Sequence, residues 1–249
     1  MVTGSSSGIG RAIALELAAC GSDVLVHTRA HPSAAEDVVA AVRSLGRASS
    51  MLMCDLADPS LHEQFVADAW EAMAGVDIWI NNAGADVLTG KAREMSFDEK
   101  LERLWRVDVA ATMRLSRLAG QRMCAASGGI MTPVIINIGW DQAETGMEGD
   151  SGQMFAAVKS AVMAFSRSLA KTLAPDVRVN CVAPGWIKTS WGSEASGYWQ
   201  SRATRESLLG RWGEPEDVAC AVRYLASPAA AFVNGQVIHV NGGFRSSCE

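Results

Sequence analysis

The 249-residue sequence predicts an α/β protein, a doubly wound parallel sheet of about seven strands with helices on both faces. Short, apolar, β-branched segments alternate along the chain with helical segments of about ten or more residues, which is typical of parallel strands joined by crossover helices. Glycine, proline and asparagine signals separate these segments, and no repeat, low-complexity tract or linker interrupts them. We therefore expect residues 1–249 to form a single domain.

Composition restricts the classes of partner. Hydrophobic residues make up 49% of the chain and charged residues 20%, as in an ordinary globular protein, and the net charge is −5. Because there is no run of Lys or Arg, we expect neither nucleic acid nor an anionic membrane as a partner. No apolar run reaches the roughly 18 residues that a membrane span needs. The N-terminus lacks the basic-then-apolar pattern of a signal peptide, which predicts a cytoplasmic location.

The cysteines and histidines give no sign of a disulfide framework or a metal. The six cysteines are scattered along the chain, and the four histidines show no metal-ligand spacing. We therefore expect reduced, mostly buried thiols and no structural metal. The cysteines are Cys20, Cys54, Cys124, Cys181, Cys220 and Cys248.

The first candidate site lies at the start of the chain. Met1 and Val2 lead into a glycine-rich stretch from Thr3 to Gly10, and an apolar helical pattern then runs to Cys20. Glycines between a strand and a helix let the backbone approach a pyrophosphate, whose charge the helix N-terminus favours. The spacing is GxxxGxG and not GxGxxG, so an ordinary glycine-rich turn is the alternative. A two-residue central strand is too short, which predicts a truncated or wrongly assigned start.

The second predicted strand, residues 22–28, bears on which dinucleotide would bind. NAD sites usually place an acidic residue near the end of this strand to hold the ribose hydroxyls. This chain has His27 to His31 there, without an acid. Arg29 could receive a 2′-phosphate instead, which favours NADP and leaves NAD possible. The alternative is that Arg29 simply faces solvent.

The remaining strands and helices follow from local signals. Later strands are expected at residues 48–54, 76–80, 133–138, 177–182 and 236–240. N-terminal caps predict the helices. These are Ser33 to Leu45 with a Ser33–Glu36 capping box, Asp58-Pro59 to about Met73, Ser96 to about Ala125 with a Ser96–Glu99 box, and a helix beginning near Pro215. A further helix shows an apolar stripe that would pack on the sheet, namely Phe155, Val158, Val162, Phe165 and Leu169.

With these elements in place, five motifs in order carry a family resemblance. They are Thr3-Gly4 to Gly10, Asp55-Leu56, Asn81-Asn82-Ala83-Gly84, Arg178 to Gly185 (RVNCVAPG), and the tail GEPEDV with NGQVIHVNGG. The chain resembles the short-chain dehydrogenase/reductase family over essentially its whole length, and is especially similar to 3-oxoacyl carrier-protein reductases. The resemblance implies a Rossmann-type fold, an NADP(H)-dependent reaction on a small carbonyl or alcohol substrate, and a homotetramer. The tetramer would be built on the long helices near Asp108 and Phe165 and on the C-terminal strand.

The resemblance also implies roles for individual residues toward the cofactor. Gly4, Ser6, Ser7, Ile9 and Gly10 would line the pyrophosphate; Asp55 and Leu56 would hold the adenine; Asn82, Ala83 and Gly84 would flank the adenosine ribose; Pro184, Gly185, Ile187 and Thr189 would shape the nicotinamide site; and Lys159 would bind the nicotinamide ribose.

The catalytic positions depart from the family pattern. The family's proton donor is a tyrosine four residues before the lysine, whose charge lowers the phenol's pKa. Here Phe155 stands four residues before Lys159, and the only tyrosines are Tyr198 and Tyr224, so no YxxxK exists. Trp140 stands where the family has a serine that positions the substrate carbonyl, and Asp108 where it has an asparagine in a proton relay.

These changes leave two functional hypotheses. In the first, the protein is a reductase that takes its proton from Asp108, Asp141, Asp150 or a water bound to Lys159, because apolar surroundings raise the pKa of a carboxyl group. An acidic loop that is merely solvated is the alternative explanation for Asp141 and Asp150. In the second hypothesis, the fold binds NADP without turnover and acts as a regulatory or interaction module.

Aromatic residues after Pro184-Gly185 favour the enzyme. Trp186, Trp191, Tyr198 and Trp199 fall in the segment where the family carries its substrate lid. Such a lid suits an apolar or aromatic substrate. The alternative is that these lid residues pack only on each other, which would give the same sequence pattern.

Overall fold

The computed structural model describes residues 1–126 and 132–245, and its centre is a parallel sheet. Its strands are β1 (Val24–Thr28), β2 (Ser49–Met53), β3 (Ile78–Asn81), β4 (Val134–Ile138), β5 (Arg178–Pro184) and β6 (Val237–Val240). β1 pairs with β2, and β3 to β6 pair in sequence order, all in parallel. Val2 forms parallel bridges to both Val26 and Ile80. The order is therefore β2-β1-Val2-β3-β4-β5-β6, and the predicted first strand is reduced to one bridging residue.

Helices connect these strands. They are α1 (Gly8–Ala19), α2 (Pro32–Ser44), α3 (His62–Met73), α4 (Phe97–Leu104), α5 (Thr112–Ala125), α6 (Gly149–Leu173), α7 (Ser190–Glu194), α8 (Gly197–Glu206) and α9 (Pro215–Ala226). The predicted strand ends differ from the observed ones by one or two residues. None of the helices in the described residues is long and apolar enough to cross a membrane.

Apolar side chains of the sheet alternate between two buried clusters. Val134 and Ile136 of β4 pack with α1, α2 and α9, whereas Ile135 between them packs with α3, α5 and α6. This alternation is what the strand geometry requires when both faces are covered. The prediction of helices on both faces is confirmed.

Two predicted caps are confirmed and one is wrong. The Asp58 carboxylate accepts a hydrogen bond from Ser60 N, and Ser96 and Glu99 form the expected capping box. The predicted Ser33–Glu36 box does not form, because α2 begins at Pro32 with His31 as its N-cap. Proline suits the first helical position, so the start moves upstream and leaves Ser33 inside the first turn.

The predicted long helix from Ser96 to Ala125 is interrupted in its middle. Between α4 and α5 the backbone forms a π-helix over Trp105–Ala111, which the sequence did not indicate. π-helical turns are rare and frequently occur at functional sites. Here the turn carries Asp108, whose side chain is buried.

A buried polar network fixes the sheet end beside the site. Asn81 Nδ2 donates to Ser116 Oγ and to Asn137 Oδ1, both at 2.8 Å, and Asn137 Nδ2 donates to Ser166 Oγ at 2.8 Å. The Trp79 indole donates to Asn81 Oδ1 at 2.9 Å. These bonds join β3 and β4 to α5 and α6, so they hold the helix that carries Lys159 in register with the sheet.

The cysteines are less buried than predicted. Of the five in the described residues, all are free thiols, but Cys20 and Cys220 are exposed because they lie at the solvent-facing end or side of their helices. Cys248 lies outside the described residues. Within those residues no group of three or more His, Cys, Asp or Glu is placed to hold a metal ion.

Candidate active site

The glycine-rich loop from Thr3 to Ser7, together with the first turn of α1, forms a candidate anion-binding site, which we call the cradle. Gly4 and Gly8 have φ of +62° and +53°, and a Cβ on Gly4 would lie 2.8 Å from the Cα of Ala83. The loop therefore needs glycine for both its conformation and its close contact. The N-cap of α1, Ser7, makes no side-chain cap hydrogen bond, which leaves amide groups of the first turn available. Such a helix start fits a pyrophosphate.

The side chain of Asn82 holds this loop by hydrogen bonds. Its Nδ2 donates to the carbonyls of Thr3 and Gly4 at 3.0 and 3.1 Å, and the amides of Asn82 and Ala83 donate to Thr3 Oγ1 at 2.9 and 3.0 Å. A Cβ on Gly10 would lie 2.4 Å from the same Nδ2. The Asn82 side chain therefore holds the loop, and its predicted place beside the adenosine ribose stays a prediction.

A buried histidine, not singled out from the sequence, fixes the other side of the loop. Gly4 N donates to His27 Nδ1 at 2.9 Å, and His27 Nε2 lies 3.1 Å from the Cys54 carbonyl. Burial lowers the pKa of His27 to about 4, so the ring is neutral at pH 7. Because Nδ1 accepts the amide proton, Nε2 carries the ring proton and donates to Cys54.

The residues predicted for the adenosine end lie at the neighbouring strand ends. Arg29 is exposed directly after β1, and Asp55 and Leu56 follow β2, with Asp55 exposed and Leu56 buried. Thr28 Oγ1 lies 3.4 Å from Ser6 Oγ, which joins the end of β1 to the cradle. The structure thus brings these residues together at the carboxyl ends of β1 and β2.

A cavity of about 990 Å³ opens beside the cradle. Its lining includes one residue predicted for the pyrophosphate, the four predicted for the nicotinamide and three of the predicted catalytic positions, namely Ile9; Pro184, Gly185, Ile187 and Thr189; and Trp140, Phe155 and Lys159. Thr189 reaches back to the cradle, since its Cγ2 lies 3.7 Å from where a Cβ on Gly8 would be. Ser151, one helical turn before Phe155, also lines the cavity and was not predicted.

Lys159 has a carboxylate counter-ion. Its Nζ donates to the Ile138 carbonyl at 3.2 Å and lies 3.4 Å from Asp108 Oδ1. Asp108 is 2% exposed, and its Oδ2 accepts from the Ala85 amide at 2.8 Å. The lysine charge is therefore balanced by a buried carboxylate presented by the π-helix.

The lid over the cavity carries four packed tryptophans. The ring centroid of Trp186 lies 6.3 Å from Trp191, 5.6 Å from Trp199 and 5.8 Å from Trp212, and all four line the cavity. The rings therefore pack on each other and also line the cavity, so the alternative that they pack only on each other is wrong. Trp212 was not predicted, and Tyr198 is 61% exposed and does not line the cavity.

An ion-pair network, which we call the Arg202 network, holds this cluster to the helix that carries Lys159. Arg202 is buried, donates to both carboxylate oxygens of Glu148 at the start of α6, and donates to Glu206 Oε1 at 2.7 Å. Its guanidinium lies 5.3 Å from the Trp199 ring centroid, and Glu206 Oε2 accepts from the Trp186 indole at 2.9 Å. The hydrogen bond to Glu148, more than the opposing burial, raises the pKa of Arg202.

The sequence and fold comparisons agree with this geometry. Residues 4–245 match a family model described as enoyl-(acyl carrier protein) reductase. The chain is 34% identical over 248 residues to the 3-oxoacyl-[acyl-carrier-protein] reductase FabG of Aquifex aeolicus, covering 98% of this chain and 95% of that protein. The chain belongs to the short-chain dehydrogenase/reductase family.

Similar solved structures include two chains with a bound dinucleotide. A short-chain dehydrogenase from Burkholderia cenocepacia in complex with NADP has a TM-score of 0.86 and 30% identity, over 97% of this chain and 95% of that one. A blue fluorescent protein from a metagenomic library in complex with NADPH has a TM-score of 0.85 and 32% identity, over 98% and 96%. The Rossmann-type fold prediction is confirmed, and NADP is the cofactor that the sequence predicts.

In this short-chain dehydrogenase/reductase, the two residues that the sequence predicts at the tyrosine and serine positions form an apolar wall. The rings of Trp140 and Phe155 lie 6.3 Å apart in an edge-to-face arrangement, and both line the cavity. Neither can donate a proton to a carbonyl oxygen from its aromatic ring carbons. Lys159 lines the same cavity one helical turn from Phe155.

The carboxyl groups suggested as donors lie elsewhere. Asp141 is buried behind Gly185, where its Oδ2 accepts from Asn241 Nδ2 at 3.1 Å and its Oδ1 has no partner among the described residues. Burial raises the pKa of Asp141 to about 6. Asp150 is exposed at the start of α6. Neither they nor Asp108 line the cavity, so none of the three carboxyl groups faces the space where a substrate would bind.

The raised pKa of Asp141 predicts a pH-dependent stability change. Between about pH 4 and pH 6 the folded state holds the Asp141 proton more tightly than the unfolded state, so the group reduces stability as pH rises through this window. The free energy of unfolding of Asp141→Asn, relative to that of the wild type, should therefore be about 2–3 kcal/mol higher above pH 6 than at pH 4. Urea unfolding of both proteins across this range measures the difference. A stability difference between Asp141→Asn and the wild type that stays constant across this range would contradict the assignment.

Proposed function

We propose that the protein is an NADP(H)-dependent oxidoreductase that acts on a carbonyl or alcohol compound with an apolar or aromatic body. The observation that carries the proposal is the continuity of the two sites. The glycine cradle opens into the cavity through Ile9 and Thr189, and Lys159 and the lid tryptophans line that same cavity. A dinucleotide on the cradle would therefore present its nicotinamide end to the tryptophan-lined space.

The chain's own residues fit this cofactor. Gly4, Gly8 and the start of α1 would hold the pyrophosphate, because both glycines have a positive φ and the first turn of α1 has no side-chain cap on its amides. The exposed Arg29 after β1 supports NADP over NAD, with NAD as a second possible cofactor. When bound, the reduced nicotinamide supplies the hydride.

Lys159 is the residue that we assign to the proton. Lys159 lines the cavity one helical turn from Phe155, and its ammonium group would bind the nicotinamide ribose and protonate the carbonyl oxygen directly or through a bound water. Asp108, as its buried counter-ion 3.4 Å away, would hold the ammonium in place. Phe155 and Trp140 would exclude bulk water and contact the substrate body.

Cofactor binding tests the first half of this proposal. NADPH should bind more tightly than NADH, and Arg29→Ala should remove most of the difference, because a charge contact to the 2′-phosphate contributes roughly 1.5–3 kcal/mol, about ten- to a hundredfold in affinity. Titration of both cofactors by calorimetry measures this. Arg47→Ala, at an exposed arginine paired with Asp23, is the matched control. Equal wild-type affinities would contradict the NADP preference, and failure to bind either would contradict the function.

A second candidate function is a binding or regulatory module that holds NADP without turnover. The observations that favour it are the apolar wall of Trp140 and Phe155 and the neutralised charge of Lys159. A wild type that binds NADPH tightly but oxidises none of it in the presence of a broad panel of aldehydes and ketones would support this alternative.

For the assembly and location we propose a cytoplasmic homotetramer. Trp105, on the π-helix between the long helices, is half-exposed, and β6 is a partly exposed edge strand, so both surfaces are suited to contacts with other copies. Light scattering on the purified protein gives the mass that decides the assembly.

A further inference from the structure

The cavity joins its tryptophan-rich lid to a second, charged segment. This segment, from Val87 to Lys100, contributes Arg93 and Lys100 to the lining. Arg93 lies in a short 3₁₀ helix before α4, and Lys100 Nζ donates to the Arg93 carbonyl at 2.7 Å. That hydrogen bond holds the Lys100 ammonium beside the backbone of Arg93, and both residues line the cavity.

These two charges are not balanced within the described part of the chain. Neither Arg93 nor Lys100 forms an ion pair there, whereas Lys159 in the same cavity is paired with Asp108. Among the lining residues Glu194 of the lid is the only carboxylate. The edge thus has two unpaired cations against one anion, and adjacent like charges favour the binding of a further negative group.

We propose that the cavity binds an aromatic or apolar carbonyl compound that carries an anionic group, a carboxylate or a phosphate, held by Arg93 and Lys100. This inference rests on the proposed function and specifies its substrate class. The planar guanidinium of Arg93 matches two oxygens of either anion, and Lys100 adds a point charge. The lid tryptophans pack against the ring system. The negative charge of Glu194, which lies on the lid, repels the anionic group and limits the affinity for the ligand.

Two-ring probes test the proposal on the full-length protein with NADP bound. They are 6-acetyl-2-naphthoate, its neutral carboxamide, and the corresponding naphthyl phosphate, and quenching of the lid tryptophans reports binding without turnover. The carboxylate or the phosphate should bind about three- to tenfold more tightly than the carboxamide, as expected for partly exposed charge pairs. This preference should disappear at about 1 M salt, where the Debye length is about 3 Å.

Matched variants separate the cavity edge from general charge effects. Arg93→Gln and Lys100→Gln should each remove most of the preference and leave carboxamide binding unchanged, and Glu194→Gln should strengthen it. Lys91→Gln is the control, since Lys91 is exposed in the same 3₁₀ helix but does not line the cavity.

Equal affinity for all three probes, an equal effect of Lys91→Gln, or no quenching by any probe would overturn the proposal. Reduction of the neutral ketone without a charge preference would overturn it while leaving the proposed function intact. A charge preference without NADPH oxidation would support the anionic ligand and contradict the reductase.

Discussion

Phe155→Tyr should raise the rate of NADPH-dependent ketone reduction by about 10²–10⁴, the usual contribution of a positioned general acid. The new hydroxyl would stand one helical turn from Lys159, at the position where the family places its proton donor. The lysine charge would lower the phenol pKa from about 10. Because Asp108 already balances that charge at 3.4 Å, we expect a gain near the lower end of this range. Steady-state rates with a broad ketone panel measure it.

Two additions should extend the gain from Phe155→Tyr. Asp108→Asn keeps an oxygen for the Ala85 amide but removes the counter-ion, so the double variant should be faster than the single one. Trp140→Ser restores a hydroxyl beside the new phenol and should act in the same direction. Adding Lys159→Met to Phe155→Tyr should remove the gain.

Phe165→Tyr is the matched control for this series, since it places the same hydroxyl on the same helix away from the cavity lining and should gain nothing. If the wild type runs a reaction suited to an apolar ring, Phe155→Tyr should instead lower its native rate, because a buried hydroxyl without a partner is unfavourable. If the wild type, Phe155→Tyr and the Trp140→Ser double variant all bind NADPH and reduce nothing, the binding-module function replaces the enzyme.

Arg202→Met should lower the free energy of unfolding by about 3–5 kcal/mol, the typical loss when one member of a buried ion pair is removed. The change leaves Glu206, 2% exposed, as a buried carboxylate without its cation. It also removes the guanidinium that lies over the Trp199 ring. Urea denaturation gives the free energy, with the slope checked for two-state behaviour.

Position-matched variants separate burial from charge in the Arg202 network. Arg205→Met, at an exposed arginine on the same helix, should change stability by about 0.5 kcal/mol or less. Glu148→Gln should lose about 0.2–1 kcal/mol, because the Glu148 side chain is 70% exposed. Combining Arg202→Met with Glu206→Gln removes the stranded charge while keeping an acceptor for Trp186, and should recover part of the loss. A loss below about 1 kcal/mol for Arg202→Met alone would contradict a buried, charge-dependent lid support.

The fold was predictable because its signals are local. Strand–helix alternation and the glycine-rich turns lie within short windows of sequence, and the observed elements follow them. The failures occur where local signals compete or are absent. Pro32 displaced the Ser33–Glu36 capping box, and nothing in the residues from Trp105 to Ala111 distinguishes a π-helix from an α-helix.

The candidate site, like the fold, was only partly predictable from the sequence. The glycines of the loop follow from their place between strand and helix, and the substituted positions Phe155 and Trp140 follow from the family resemblance. The surroundings of Asp141 could not, because its partner Asn241 lies 100 residues further along the chain. Trp212 reaches the lid from beyond α8 for the same reason. Side-chain burial and long-range partners depend on the assembled structure, so the sequence alone does not separate the three carboxyl groups from Lys159 and its bound water as candidate proton donors, whereas in the structure Lys159 alone of these residues lines the cavity.

The tryptophan lid also gives the protein an optical signature. Indole rings at centroid distances of 5.6 to 6.3 Å and interplanar angles from 19° to 66° are close and skewed enough for their electronic transitions to couple. Such coupling produces paired bands of opposite sign in circular dichroism, which depend on the relative orientation of the rings and not on the helices around them. Lid movement on ligand binding would therefore change these bands while the backbone signal stayed constant, so the lid can be followed in solution without an added label.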